Sequence, residues 1–213
     1  MLIIRAVMPE RGAQRDSLVM VGSVALLMLL TVDGRFSPLD SAVFLLLYGG
    51  YLAHLYRTNR SVEVEEGDLS LPAALVFVMV GSGTLLWGSF MLIHGAVGLA
   101  IDVGFSTLFI GLTVVAIGTS LPEMATSLAA TLHGSRGIAV GNIIGSNIIN
   151  TFLVLGVAGA IAPIDVDASF LSYQLVILLA VSLVLTLMCH RRMARWMGIM
   201  LLALYFPLFL FLS

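Results

Sequence analysis

Between residues 17 and 212 the sequence is a succession of apolar runs, each close to 20 residues long, broken by short polar turns. A run of that length matches a helix crossing the roughly 30 Å hydrocarbon core of a bilayer. An all-α integral membrane protein follows. Only 10% of the residues are charged, 60% are hydrophobic, and the mean hydropathy is +1.09. Soluble domains carry about 25% charged residues.

Seven spans are expected, at roughly 17–32, 37–56, 72–93, 103–132, 137–161, 169–189 and 194–212. The turns between them carry the punctuation, as in Val32-Asp33-Gly34-Arg35, His133-Gly134-Ser135-Arg136 and His190-Arg191-Arg192. Residues 1–16 are polar and the apolar run that follows lacks a small-residue cleavage site, so no cleavable leader is expected. All ten basic residues are arginine. Alternating the loops between two sides of the membrane puts Arg35 alone on one side and the other nine on the opposite side. Basic loops stay cytoplasmic, so the expected placement is multi-pass in the cell (inner) membrane, with a cytoplasmic N-terminus and an external C-terminus.

The segment Arg57–Ser70 holds Glu63, Glu65, Glu66 and Asp68. It lacks the alternating carboxylates and the glycine of a calcium loop, and it reads as a solvated cytoplasmic linker. No basic patch with interleaved aromatics suggests nucleic acid. The single cysteine, Cys189, excludes an internal disulfide and a thiolate cluster and reads as an inert thiol. An intramembrane enzyme would need a nucleophile with a base, or paired aspartates, at depth. The four histidines, His54, His94, His133 and His190, fall near span ends and no aspartate lies mid-span. The chain is therefore not expected to be an enzyme.

Residues 18–55 slide onto 175–212 at an offset of 157 without a gap, so that Arg35 falls on Arg192 and Tyr48 on Tyr205. Both stretches read as span, polar turn with Arg, span. Five spans separate the copies, an odd number, so the second is inverted, as in inverted-repeat transporters. This divides the chain into the last two helices of a first half at 1–56, a linker at 57–71, and a second half of five helices at 72–213. On this reading the seven spans are the C-terminal part of a ten-helix architecture.

Two mid-span segments do not read as lipid-facing helix. In Gly118-Thr119-Ser120-Leu121-Pro122-Glu123 the proline cannot donate a backbone hydrogen bond. A helix broken there frees carbonyls at membrane depth, tolerated only where they are buried in protein or line a cavity. Glu123 falls near the midplane, where a carboxylate costs a few kcal/mol. Thr119 and Ser120, one turn earlier, share its face, and Thr126 and Ser127 extend the polar stripe. The second segment runs Gly141-Asn142-Ile143-Ile144-Gly145-Ser146-Asn147-Ile148-Ile149-Asn150. Ser146 and Asn150 are one turn apart, and Asn142 and Asn147 add amide oxygens. Taken alone it also reads as a small-residue packing motif with interhelical asparagines. Together the two segments form a set of oxygen ligands suited to hard cations such as sodium and calcium. The short turn at 133–136 predicts that spans four and five pair antiparallel, with Glu123 facing Asn150.

These two motifs resemble the alpha-repeat of the sodium/calcium exchanger family, and more closely the prokaryotic branch of the cation/calcium antiporters. The resemblance implies a secondary antiporter that exchanges calcium for sodium or protons, with those ions as cargo and no cofactor. It implies ion ligands at Thr119, Ser120, Glu123, Ser146 and Asn150, with Asn142 and Asn147 in support. It also implies that the long helix at about 71–100 moves during alternating access. Some members carry aspartate at the position of Asn150, and the amide here removes one charge. The family's site uses one glutamate from each of two alpha-repeats, whereas this sequence shows one. The 213 residues are therefore expected not to transport as a monomer, and to act with a separate N-terminal half or in a homo-oligomer. The competing expectation is a non-transporting membrane subunit or a truncated remnant.

Overall fold

The structure is a computed structural model that describes residues 11–58, 70–104, 110–167, 170–190, 198–201 and 203. The acidic part of the 57–71 linker, Arg191, Arg192 and most of the expected last span lie outside the described residues. The chain forms two compact units, one of residues 1–62 with 135–203, the other of residues 63–134 with 204–213.

In the first unit, α1 (Arg11–Leu30) leads through a turn at Gly34 into a two-residue strand β1 (Arg35–Phe36) and then α2 (Pro38–Thr58). Helix α1 begins six residues before the expected span. Its early charges are tolerated because Arg15 Nε and Asp16 Oδ1 pair at 3.0 Å. Gly34 takes φ +81°, a conformation that favours glycine. Its carbonyl accepts from Val166 N at 2.8 Å, beside the antiparallel pairing of β1 with β2 (Ile164–Asp165).

The chain then builds the second unit, with α3 (Leu71–Val103), α4 (Ala116–Thr119) and α5 (Leu121–Leu132). Helix α3 runs 33 residues, about 50 Å at 1.5 Å per residue. It continues ten residues past the end expected at 93. Ile101 and Asp102, expected in a linker, form its last turn before Gly104 caps it at φ +91°. The next span is interrupted, as Pro122 led one to expect, but by a single residue. Between α4 and α5, Ser120 keeps right-handed helical angles, φ −89° and ψ −1°. Ser120 N still reaches the Ile117 carbonyl at 3.1 Å, and Met124 N reaches the Ser120 carbonyl at 3.0 Å.

The remaining described helices complete the first unit. Helix α6 (Arg136–Ile148) passes through a wide π-helical turn, Ile149–Val154, into α7 (Leu155–Ile161). A further π turn, Phe170–Gln174, opens α8 (Leu175–Cys189). The core of the unit is built from Met20, Leu27, Phe36, Phe44, Ile144, Ile148, Phe152 and Leu175. Phe36, Phe44 and Phe152 meet edge to face, with centroids 5.1 and 5.3 Å apart. Helix α7 comes close to α2 because Gly156 and Gly159 carry no side chain. Leu45 Cδ2 would lie 3.1 Å from a Cβ at Gly156. Helices α1 and α8 are joined by Thr186 Oγ1, which donates to the Ser17 carbonyl at 3.1 Å.

Four of the described helical stretches are long and apolar enough to cross a membrane: Gly12–Leu30, Leu71–Val103, Gly137–Ile161 and Leu171–Cys189. Helix α2 is long enough, at 21 residues, but carries more polar side chains.

Candidate functional site

The expected ligands fall into two groups, one in each unit. In the second unit Thr119 closes α4, Ser120 is the interrupting residue, and Glu123 lies in the first turn of α5. Glu123 is half-buried, with Oε2 fully buried. Thr119 and Ser120 are exposed.

The hydroxyl hydrogens of this group are committed. Thr119 Oγ1 donates to the Val115 carbonyl at 2.9 Å, Ser120 Oγ to the Ala116 carbonyl at 3.0 Å, and Thr126 Oγ1 to the Pro122 carbonyl at 2.8 Å. A hydroxyl has one hydrogen and two lone pairs. With the hydrogen directed at the backbone, each oxygen can offer only lone pairs to a further partner, as a cation ligand must.

The first unit repeats this arrangement. Ser146 Oγ donates to the Ile143 carbonyl at 3.1 Å, and Asn147 Nδ2 donates to the same carbonyl at 2.8 Å. Asn147 thereby keeps its Oδ1 as an acceptor. Asn142, Ser146 and Asn147 are half-buried and Asn150 is exposed. Asn150 lies within the π turn, where the helix widens, and Thr151 donates to the Asn147 carbonyl at 2.9 Å beside it.

The π turns are what sequence reasoning missed. One, Gly111–Val115, ends four residues before Thr119, and another contains Asn150. Such turns occur disproportionately at functional sites. No residue pattern announced them. Phe152, within the second of them, is buried in the aromatic core.

Among the described residues no three His, Cys, Asp or Glu side chains gather as a metal cluster. Within the second unit the polar side chains of this stretch are hydroxyls and one carboxylate, oxygen groups of the kind hard cations take rather than zinc or copper.

The sodium/calcium exchanger protein family model matches residues 73–213. The chain belongs to the sodium/calcium exchanger family. An uncharacterized membrane protein of Methanocaldococcus jannaschii is 35% identical over 95% of this chain and 67% of its own length. The sodium/calcium exchanger MaX1 of Methanosarcina acetivorans is 35% identical over 61% of this chain and 38% of its own. The sodium-calcium exchanger NCX_Mj, in a structure soaked with sodium and strontium, is 34% identical with a TM-score of 0.78. That match covers 96% of this chain and 68% of NCX_Mj. The chain thus spans between 38% and 68% of the length of these three relatives. Membership of the family, with the likeness to NCX_Mj, makes it an all-α membrane protein.

Proposed function

We propose that this exchanger-family chain is the ion-binding portion of a secondary cation antiporter that exchanges calcium for sodium or protons. The observation that carries the reading is the spent hydrogen of each ligand hydroxyl beside Glu123, in a chain that matches the exchanger family over 73–213. The ligands are Thr119, Ser120, Glu123, Ser146 and Asn150, supported by Asn142 and Asn147. One carboxylate neutralises half the charge of a divalent ion, and Asn150 adds none. Transport of calcium therefore requires a second acidic set beyond the residues of this repeat. The division into a first-half remainder at 1–56, a linker at 57–71 and a second half at 72–213 belongs to the same reading. So do the inner membrane and the cytoplasmic N-terminus drawn from the arginine bias.

The test is calcium uptake into inverted vesicles, driven by a sodium or proton gradient, in the full-length protein. Glu123→Gln keeps the size and one oxygen but removes the charge. A unit-charge pair at 4 Å is worth about 4 kcal/mol at an effective dielectric of 20. With ligand rearrangement offsetting part of that, a net loss of about 3 kcal/mol weakens binding roughly a hundredfold. Ser120→Ala removes a neutral ligand and costs about 1 kcal/mol. Normal uptake by Glu123→Gln at normal membrane levels would remove the carboxylate from the site and overturn the antiporter reading.

A further inference from the structure

Helix α3 packs on the ligand-bearing span through a face of mostly small side chains. Its less exposed residues near that span are Ser89, Ile93, Ala96, Val97 and Ala100. Ile93 is the largest of them, and it fills the space in front of Gly118. A Cβ at Gly118 would overlap Ile93 Cγ1 and lie 3.1 Å from its Cδ1. This contact fixes the register between α3 and the residues just before Thr119.

The two segments run antiparallel. Six residues separate Val103 from Ile110, a connection that reaches at most roughly 25 Å, too short to lead back along a helix of about 50 Å. In an antiparallel pair, one turn toward the N-terminus of α3 matches one turn toward the C-terminus of its partner. Ser89 precedes Ile93 by four residues, so it lies level with Pro122 and Glu123, which follow Gly118 by four and five.

Ser89 is 9% exposed. Its hydroxyl has no hydrogen-bond partner among the described residues. Thr84, Thr119, Ser120, Thr126 and Thr131 of the same unit each donate to a carbonyl four residues earlier. A serine inside an apolar helix ordinarily does the same. The level of Ser89 along the helix, matching that of the Glu123 carboxylate, and its unspent hydroxyl both point to a ligand.

We propose that Ser89 is a further oxygen ligand of the hard cation held at Glu123, contributed by α3. The inference rests on the reading of Glu123 as an ion ligand. It ties α3 to the occupied site through a polar contact, while Ile93 on Gly118 supplies the apolar one.

The test measures calcium uptake into inverted vesicles as a function of calcium concentration, in the full-length protein, with Glu123→Gln run in parallel. Ser89→Ala should raise the KM for calcium about fivefold, the loss of one neutral ligand, with the maximal rate little changed. Ser89→Thr, which keeps the oxygen, should restore the KM. Thr84→Val on the exposed side of α3 should leave uptake as it was. If Glu123→Gln abolishes uptake while Ser89→Ala keeps the original KM, the Ser89 inference fails and the site reading stands. If both variants transport normally, both fail. As a second measurement, Ser89→Cys in a Cys189→Ala background should be modified by a small thiol reagent more slowly when calcium is present. Equal rates with and without calcium would overturn the proposal even if Ser89→Ala does not reach the membrane.

Discussion

Gly159→Ala should destabilise the first unit, by an amount that its surroundings set. A Cβ at position 159 would overlap Ser41 Oγ and lie 2.6 and 2.8 Å from Phe36 Cδ1 and Cε1. Comfortable carbon contacts are about 3.5–4.0 Å, so the ring must retreat by about 1 Å. It has nowhere to go. Phe36 is 1% exposed and stands edge-on to Phe44, which is 0% exposed and stands edge-on to Phe152. Overpacking of this kind costs about 1–3 kcal/mol, and displacing both a ring and a hydroxyl puts this site in the upper half. Alanine returns about 1 kcal/mol through its better helix propensity. The net loss is about 1–2 kcal/mol, or about 3–6 °C in Tm for a chain of this size. Thermal survival of the detergent-solubilised protein on size exclusion measures it. Gly49→Ala in α2, where nothing lies within 4 Å, carries the propensity gain alone and should raise Tm. Combining Gly159→Ala with Phe36→Leu should cost less than the two singles added, because the smaller side chain relieves the overlap. A Gly159→Ala protein that melts with the wild type, or an additive double variant, would refute the account of this crossing.

Three further outcomes are expected. Thr186→Val keeps the side-chain shape but removes the bond to the Ser17 carbonyl, and should lower stability by about 0.6 kcal/mol, typical of interhelical hydrogen bonds within a bilayer, read in the same thermal assay. Gly118→Ala should impair calcium uptake at normal membrane levels, because Ile93 must move from the turn that holds Thr119 and Ser120, and Ile93→Ala in the same chain should restore part of it. Cysteines placed at positions 65 and 213 report the orientation: an impermeant reagent added to intact cells should label 213 and spare 65, and the reverse pattern would overturn the orientation drawn from the arginine bias.

Much of the candidate site was legible because its residues break the rules of a lipid-facing helix. Glu123 beside Pro122, and four polar side chains within Asn142–Asn150, are costly in hydrocarbon unless something uses them. What could not be read was the shape of the interruption. Pro122 announces a missing hydrogen bond but not its consequence, a single residue, Ser120, that stays helical while its hydroxyl bonds the Ala116 carbonyl. The extra length of α3 was hidden for a related reason. Asp102 reads as a linker residue, yet in a helix of about 50 Å it lies in the last turn, beyond what a hydrocarbon core of about 30 Å requires.

By itself, then, the sequence determined the solvent and the class and pointed to a chemistry. Apolar runs of membrane length admit little but helices, and clustered oxygen side chains at mid-span suit hard cations. The tertiary structure alone decided which small residues face a neighbour. Gly118 carries Ile93 and Gly159 carries Phe36, while Gly49 meets nothing, although all three look alike in the sequence. It also decided which hydroxyls have spent their hydrogen on the backbone, as Ser120 has and Ser89 has not. A glycine or a serine has no preference strong enough to announce its partner, because contact depends on the register between helices. That register is set by the few bulky side chains, such as Ile93, that find a gap to fill.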